Sequence, residues 1–178
     1  GLTPKTLLEP VSASAPPCVR EPRAQGQGWL VGGNYITSTA VNQLEMFQAG
    51  TYDPGRIKAE LGAARWFGFN TVRVFLHDLL WAQDPRGFSQ RLTQFVSIAA
   101  NNGIKPLFVF FDSCWDPHPK LGVQRAPTPG VHNSGWVQSP GADRIADPNY
   151  RAVLQNYVTG VINLFRNDNR VLGWDLWN

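Results

Sequence analysis

The sequence predicts an α/β fold in which a parallel sheet is covered by helices. Three observations point there. Four apolar runs, WLVGGNY, NTVRVFL, IKPLFVFF and RVLGWDLW, lack the polar alternation of a sheet with one face in water. Segments whose apolar residues repeat with a helical period separate them. Two helices open on Asp53-Pro54 and Asp147-Pro148, each an N-cap followed by a proline in the first turn.

Residues 1–27 contain EPVSASAPPCVREPRAQGQ, which has neither period and reads as a disordered or loosely packed arm. The first strand follows, a short apolar run closed by Gly and Asn that fits a buried strand. ITSTAVNQLEMFQAGTY is a loop with room for a short helix. After Asp53-Pro54, Ile57, Leu61 and Ala64 make one apolar stripe and Gly68 supplies the stop. NTVRVFL is the second strand. Phe88, Leu92, Phe95 and Ala99 form the next stripe, ending at Gly103, and IKPLFVFF is the third strand. A Pro- and Gly-rich segment spans about 112–146. The helix after Asp147-Pro148 carries Leu154, Tyr157, Val158, Val161 and Phe165, and RVLGWDLW is the fourth strand.

Two architectures produce this alternation. A doubly wound nucleotide-binding sheet wants a Gly-rich phosphate loop after its first strand, and GQGWLVGGN places its glycines before and within the strand. A (β/α) barrel needs no such loop and gathers its chemistry at the C-terminal strand ends, so the barrel is preferred. A complete eight-stranded barrel takes about 250 residues, and four strands are counted over residues 28–178.

Composition narrows the function classes. The chain has 178 residues, 43% of them hydrophobic, enough for one domain with a core. Its net charge of +3 comes from scattered Lys and Arg that form no stripe for a phosphate backbone, which argues against nucleic acid. No run approaches the roughly 20 apolar residues of a membrane span. No charged-then-apolar leader is visible, and the first residue is Gly1. Cys18 and Cys114 have no metal or redox spacing. Seven Trp and fourteen Pro, several of the Trp in loop-like stretches, suit a protein that stacks flat ligands.

In a parallel sheet the strand tips share one rim. Asn34 and Tyr35 follow the first strand, His77 and Asp78 the second, Asp112 and Trp115 the third, and Asn178 the fourth. These residues are expected to converge on one concave surface. Arg73 and Asp175 lie inside strands, where burial without a partner is costly. Either the two pair within the barrel, or Arg73 orients a carboxylate from later strands, or each points outward.

The loop FDSCWDPHPKLGVQRAPTPGVHNSGWVQSPGA is too long for a mere connector. Trp115 and Trp136 are candidate stacking platforms, and His118, His132, Asp116 and Asn133 candidate hydrogen-bonding groups. The histidines have no helical i, i+4 spacing, which argues against a metal site, and no cofactor is implied.

Together, NTVRVFLHDLLW, KPLFVFFDSCWDP, RAPTPGVHNSGW and the terminal WDLWN resemble the cellulase-like (β/α)8 TIM-barrel glycoside hydrolases of the clan with two catalytic glutamates. The likeness is greatest to bacterial members labelled β-xylanases or glycoside hydrolase family 5-like enzymes, and it runs from about Gly28 to the last residue. It implies a fourth strand ending in Asn-Glu, the Glu being the acid/base, and a nucleophilic Glu after the seventh strand. Asn178 matches the Asn, so the chain is expected to be the N-terminal half of such a barrel, with both glutamates beyond it. The resemblance further implies that Asn178 bonds a sugar 2-hydroxyl and that Arg73 supports the nucleophile. Asn34, Tyr35, His77, Asp112, Trp115 and Trp136 would line the sugar subsites.

Retaining cleavage needs a protonated carboxyl and a carboxylate about 5 Å apart. The chain's four glutamates are Glu9, Glu21, Glu45 and Glu60, none at the end of the fourth strand; Asp112 and Asp116 are the possible substitutes. Retaining hydrolysis of a xylan, glucan or mannan by a longer protein is therefore one expectation, with this chain alone inactive. Since such polymers lie outside cells, a secreted or periplasmic protein is expected. The alternatives are a degenerate hydrolase that binds saccharide without cutting it, and a half-barrel serving only as an assembly unit.

Overall fold

The computed structural model describes residues 28–178. The arm expected over 1–27, with Cys18, lies outside the described residues. In chain order the elements are β1 (Gly32–Asn34), α1 (Gln43–Phe47), α2 (Pro54–Trp66), β2 (Thr71–Phe75), α3 (Asp78–Gln83), α4 (Pro85–Asn101), β3 (Lys105–Phe111), α5 (Ala142–Ala146), α6 (Arg151–Phe165) and β4 (Gly173–Trp177).

Three Asp-Pro pairs start helices, one more than the two counted in the sequence. Asp53 accepts the Arg56 amide at 2.8 Å, Asp84 accepts the Gly87 amide at 2.8 Å, and Asp147 accepts the Asn149 amide at 2.9 Å. Each carboxylate satisfies a backbone donor left over by the first turn. The third pair opens a short 3-10 turn, Pro148–Tyr150, that runs into α6. Gly68 (φ 88°) and Gly103 (φ 67°) end α2 and α4 in the left-handed conformation that a side chain would strain.

The four strands run parallel in the order β1-β2-β3-β4. Arg73 lies in register between Asn34 of β1 and Leu107 of β3, and Val109 opposes Asp175 of β4. Strand side chains alternate, so this register fixes two faces. One carries Val72, Val74, Phe108 and Phe110, all at most 1% exposed. It is covered by Phe95 of α4, 6.1 Å from Phe108, and by Phe165 and Tyr157 of α6, 6.2 Å from Phe108 and 5.4 Å from Phe110. The other face carries Asn34, Arg73, Leu107 and Asp175, with Phe75, Phe111 and Trp177 toward the C-terminal strand ends.

The first strand is not the buried one that WLVGGNY suggests. Only three residues pair, and Trp29 (78%) and Leu30 (57%) are exposed ahead of them. The reason is position: β1 is an edge strand and pairs only with β2. Among the described residues no helix is long and apolar enough to cross a membrane.

The helix layer also has a tight contact. A Cβ placed on Gly160 of α6 would lie 2.2 Å from the Trp81 ring of α3. Alanine normally favours a helix over glycine by about 1 kcal/mol. Here overpacking outweighs that gain, and Gly160→Ala is expected to destabilise by about 1–2 kcal/mol net, read from urea unfolding.

Candidate functional site

A continuous polar chain crosses the C-terminal rim of the sheet. Arg73 lies on the side of the sheet away from α4 and α6 and spans past β3 to β4, where its Nε is 3.2 Å from Asp175 Oδ2 and its Nη2 bonds the same oxygen. The same Nη2 donates to Asn178 Oδ1 at 3.0 Å, and Asn178 Nδ2 donates to Asp112 Oδ1 at 3.2 Å. The Cys114 amide gives that oxygen a second hydrogen bond at 2.9 Å. Both ends of the Asn178 amide are thus fixed, which decides which way its carbonyl points. Asp112 is 1% exposed, and its Oδ2 has no hydrogen-bond partner among the described residues. Asn34, exposed and in register with Arg73, extends the same face across β1.

An aromatic ledge leaves this rim. The Arg73 guanidinium lies 4.9 Å over the Phe75 ring, which meets Trp136 edge-on at 5.3 Å; Trp136 meets Trp115 at 6.3 Å, and Trp115 meets His132 at 5.6 Å. Trp115 has φ 80° and is 38% exposed. A bulky residue held at positive φ costs about 1–3 kcal/mol, strain that typically collects at ligand sites. On β4, Trp177 packs on Phe111 at 5.1 Å and donates its indole N–H to Ser113 Oγ.

The long loop that carries the ledge is closed at its neck. Asp112 and Ser139 exchange backbone hydrogen bonds at 2.7 and 3.1 Å, and the Gln138 amide reaches the Asp116 carbonyl at 2.8 Å. Beneath the neck lies a buried cluster. Asp78 accepts Ser139 Oγ–H at 2.8 Å and Tyr150 O–H at 3.0 Å, with His77 Nδ1 3.0 Å away. His77 Nε2 donates to the Gln138 carbonyl at 2.8 Å, and its Nδ1 stands 3.2 Å from the Leu79 amide nitrogen that it caps. Burial pushes the Asp78 carboxyl up, but the neighbouring His77 and the hydrogen bonds from Ser139 and Tyr150 outweigh it and hold Asp78 below the usual carboxylate range.

Two candidate residues are therefore corrected. His77 is 0% exposed and spends one nitrogen on the long loop and the other on capping α3, so it is not at the rim surface. Tyr35 does not join the rim: its ring stacks on Phe95 at 6.2 Å and its hydroxyl donates to Glu60 Oε2 at 2.9 Å, inside the helix layer. The cause is the two-residue period of the strand, which sends Tyr35 to the face opposite Asn34. Burial, and then the Glu60 carboxylate, push the Tyr35 phenol far above its ordinary range, so it stays a donor. Tyr35→Phe is expected to cost about 1 kcal/mol in unfolding free energy, read from urea unfolding.

Asn34, Arg73, Asp112, Trp115, Trp136 and Asn178 do come together on the rim and its ledge. Sequence reasoning missed Phe75, which joins Arg73 to Trp136, and Trp177, whose parity with Asp175 in β4 put it on the same face. Cys114 is exposed, and the Asp112 carboxylate pushes its thiol up, which keeps it protonated and a poor nucleophile at neutral pH. Among the described residues no three or more His, Cys, Asp and Glu side chains cluster to hold a metal.

No protein-family model and no curated protein matches the chain. Its chemistry is read from the rim itself. Planar donors and acceptors beside exposed indoles fit a ligand with apolar ring faces and many hydroxyls. The rim carboxylates are engaged, Asp175 by Arg73 and one oxygen of Asp112 by Asn178. They make no acid and nucleophile pair.

Proposed function

We propose that the described residues form the sugar-holding wall of a retaining β-glycan hydrolase built as a (β/α)8 barrel. The observation that carries this is the fixed chain Asp175–Arg73–Asn178–Asp112 lying at the foot of the Phe75–Trp136–Trp115 ledge. Hydrogen bonds would set the hydroxyl pattern and the indoles would take the ring faces. The strand order suits a barrel in which helices occupy one side and the interior keeps Arg73, Leu107 and Asp175. In this proposal the outer edges of β1 and β4 pair with later strands, and the two catalytic glutamates come from sequence beyond Asn178. One would protonate the leaving oxygen and the other attack the anomeric carbon, the Arg73 guanidinium and the Asn178 amide orienting charge and sugar between them. A polymeric substrate of this kind lies outside cells, so export belongs to the same proposal.

One observation favours a second reading, saccharide binding without cleavage: Arg73 holds Asp175 and Asn178 holds one oxygen of Asp112, so the rim carboxylates serve to fix its donors and acceptors. The experiment that separates the two is assay of the protein extended beyond Asn178 on xylan, glucan and mannan, following the anomer by proton NMR. The hydrolytic reading expects a glutamate directly after Asn178, a β-anomeric product, and loss of turnover when that glutamate becomes glutamine. Saccharide binding with no turnover on any of the three would leave only the non-catalytic reading.

A further inference from the structure

We propose that the cavity behind Trp136 takes a carboxylate-bearing sugar, a uronate substituent of the glycan lying along the ledge. This deepens the saccharide reading and rests on it. The cavity is about 430 Å³, within the roughly 300–1,000 Å³ of small-ligand sites, and is lined by Asp116, His118, Lys120, Gln124, Arg125 and Trp136. Trp136 belongs to both places, so the ledge and the cavity adjoin.

The cavity's charges are unequally spent. Asp116 gives one carboxylate oxygen to the His118 amide at 2.9 Å, and His118 Nδ1 stands 3.3 Å from Asp143. Gln124 is consumed by the Asn42 side chain and by the carbonyls of Lys120 and Gly122. Lys120 and Arg125 form no ion pair with any described residue. Arg125 is nevertheless held, since its Nη2 donates to the Ser134 carbonyl, and its remaining N–H groups are unspent. A guanidinium anchored in this way presents a fork matched to a carboxylate, and a nearby ammonium adds charge without demanding geometry.

The walls are set before a ligand arrives. The Gly122 amide donates to Gln48 Oε1 at 2.6 Å and Asn42 Nδ2 donates to the Gly135 carbonyl at 2.9 Å. A Cβ on Gly135 would come within 2.1 Å of Val41, so the loop is seated on the segment just ahead of α1 with no room to spare. Preorganised walls reduce the ordering cost of binding.

The test compares methyl β-D-glucuronide with methyl β-D-glucoside, which differ at C6 alone, by nitrogen-15 NMR titration of the full chain. The uronide is expected to bind about tenfold tighter at low salt, the worth of one charge-assisted hydrogen bond, and to shift the Trp136 indole signal. Arg125→Gln and, independently, Lys120→Gln should each reduce that preference, and added salt should reduce it in the wild type. Equal affinity for the two glycosides, or a uronide preference that survives both substitutions, would overturn the assignment. Neutral oligosaccharides shifting Trp115 and Asn178 despite that result would leave the saccharide reading standing, so the two failures are distinguishable.

Discussion

Asp78→Ala is expected to lower the unfolding free energy by about 3–5 kcal/mol, a large part of the 5–15 kcal/mol typical of a domain. Asp78 is 0% exposed and is the shared acceptor for Ser139 and Tyr150, with His77 beside it. Removing it leaves buried donors without partners and frees the neck of the long loop, because Ser139 is also half of the backbone bridge to Asp112. Amide exchange across 112–141 should therefore accelerate more than exchange in α4. The pH dependence follows from the lowered Asp78 carboxyl. A group whose folded value lies below its unfolded one contributes stability above the unfolded range, about pH 4, and loses that contribution as pH falls through the folded value. Wild-type stability should fall on acidification below about pH 4, and Asp78→Asn should flatten that part of the profile. Urea unfolding across pH 2–7 checks both.

Trp115→Ala is expected to weaken oligosaccharide binding by one to two orders of magnitude. An indole face that withdraws roughly 100 Å² of apolar surface is worth about 2.5 kcal/mol, and each 1.4 kcal/mol is about tenfold in Kd. Trp136→Ala should do the same and also disturb Phe75, whose ring it covers. Trp115 is the cleaner probe because its backbone sits at φ 80° and its ring is substantially exposed. Trp115→Gly removes the indole and the strain together, so stability is expected to change by less than about 1 kcal/mol while affinity falls as for alanine. Calorimetric titration beside urea unfolding separates the two effects.

Much of the fold was legible because it is written in local chemistry. Asp53-Pro54 and Asp147-Pro148 mark helix starts by supplying a cap and a preset φ, and IKPLFVFF is apolar on both faces because both are largely covered, whereas NTVRVFL is apolar on its helix-covered face and carries Arg73 on the other. Asp84-Pro85 carries the same signal for α4, and α3 has none of its own: its six residues sit between the His77 cap and Asp84 and are too few to show a stripe. The Arg73–Asp175 pair was legible as a need for partners, since neither charge can be left alone within a strand.

The site was legible only in part, for physical reasons. Asn34 and Tyr35 both end a strand and so both read as rim residues, yet neighbours in a strand face opposite ways. His77 follows β2 and so reads as a subsite residue, but it is buried, with one nitrogen anchoring the loop at Gln138 and the other capping α3. The Phe75 and Trp136 contact joins residues 61 positions apart and depends on how the neck of the loop closes. That closure is set by Ser139, whose importance lies in its partners and not in any local pattern.

The proposed function requires one rim of the sheet to hold a saccharide. The most direct measurement is a nitrogen-15 NMR titration of this chain with gluco-, xylo- and manno-tetraose. Saturable shifts of the Trp115 and Trp136 indoles and the Asn178 side-chain amide, with the exposed Trp66 indole at the C-terminal end of α2 unmoved, are the predicted result. Unchanged rim signals with all three sugars, or shifts confined to Trp66, would contradict it.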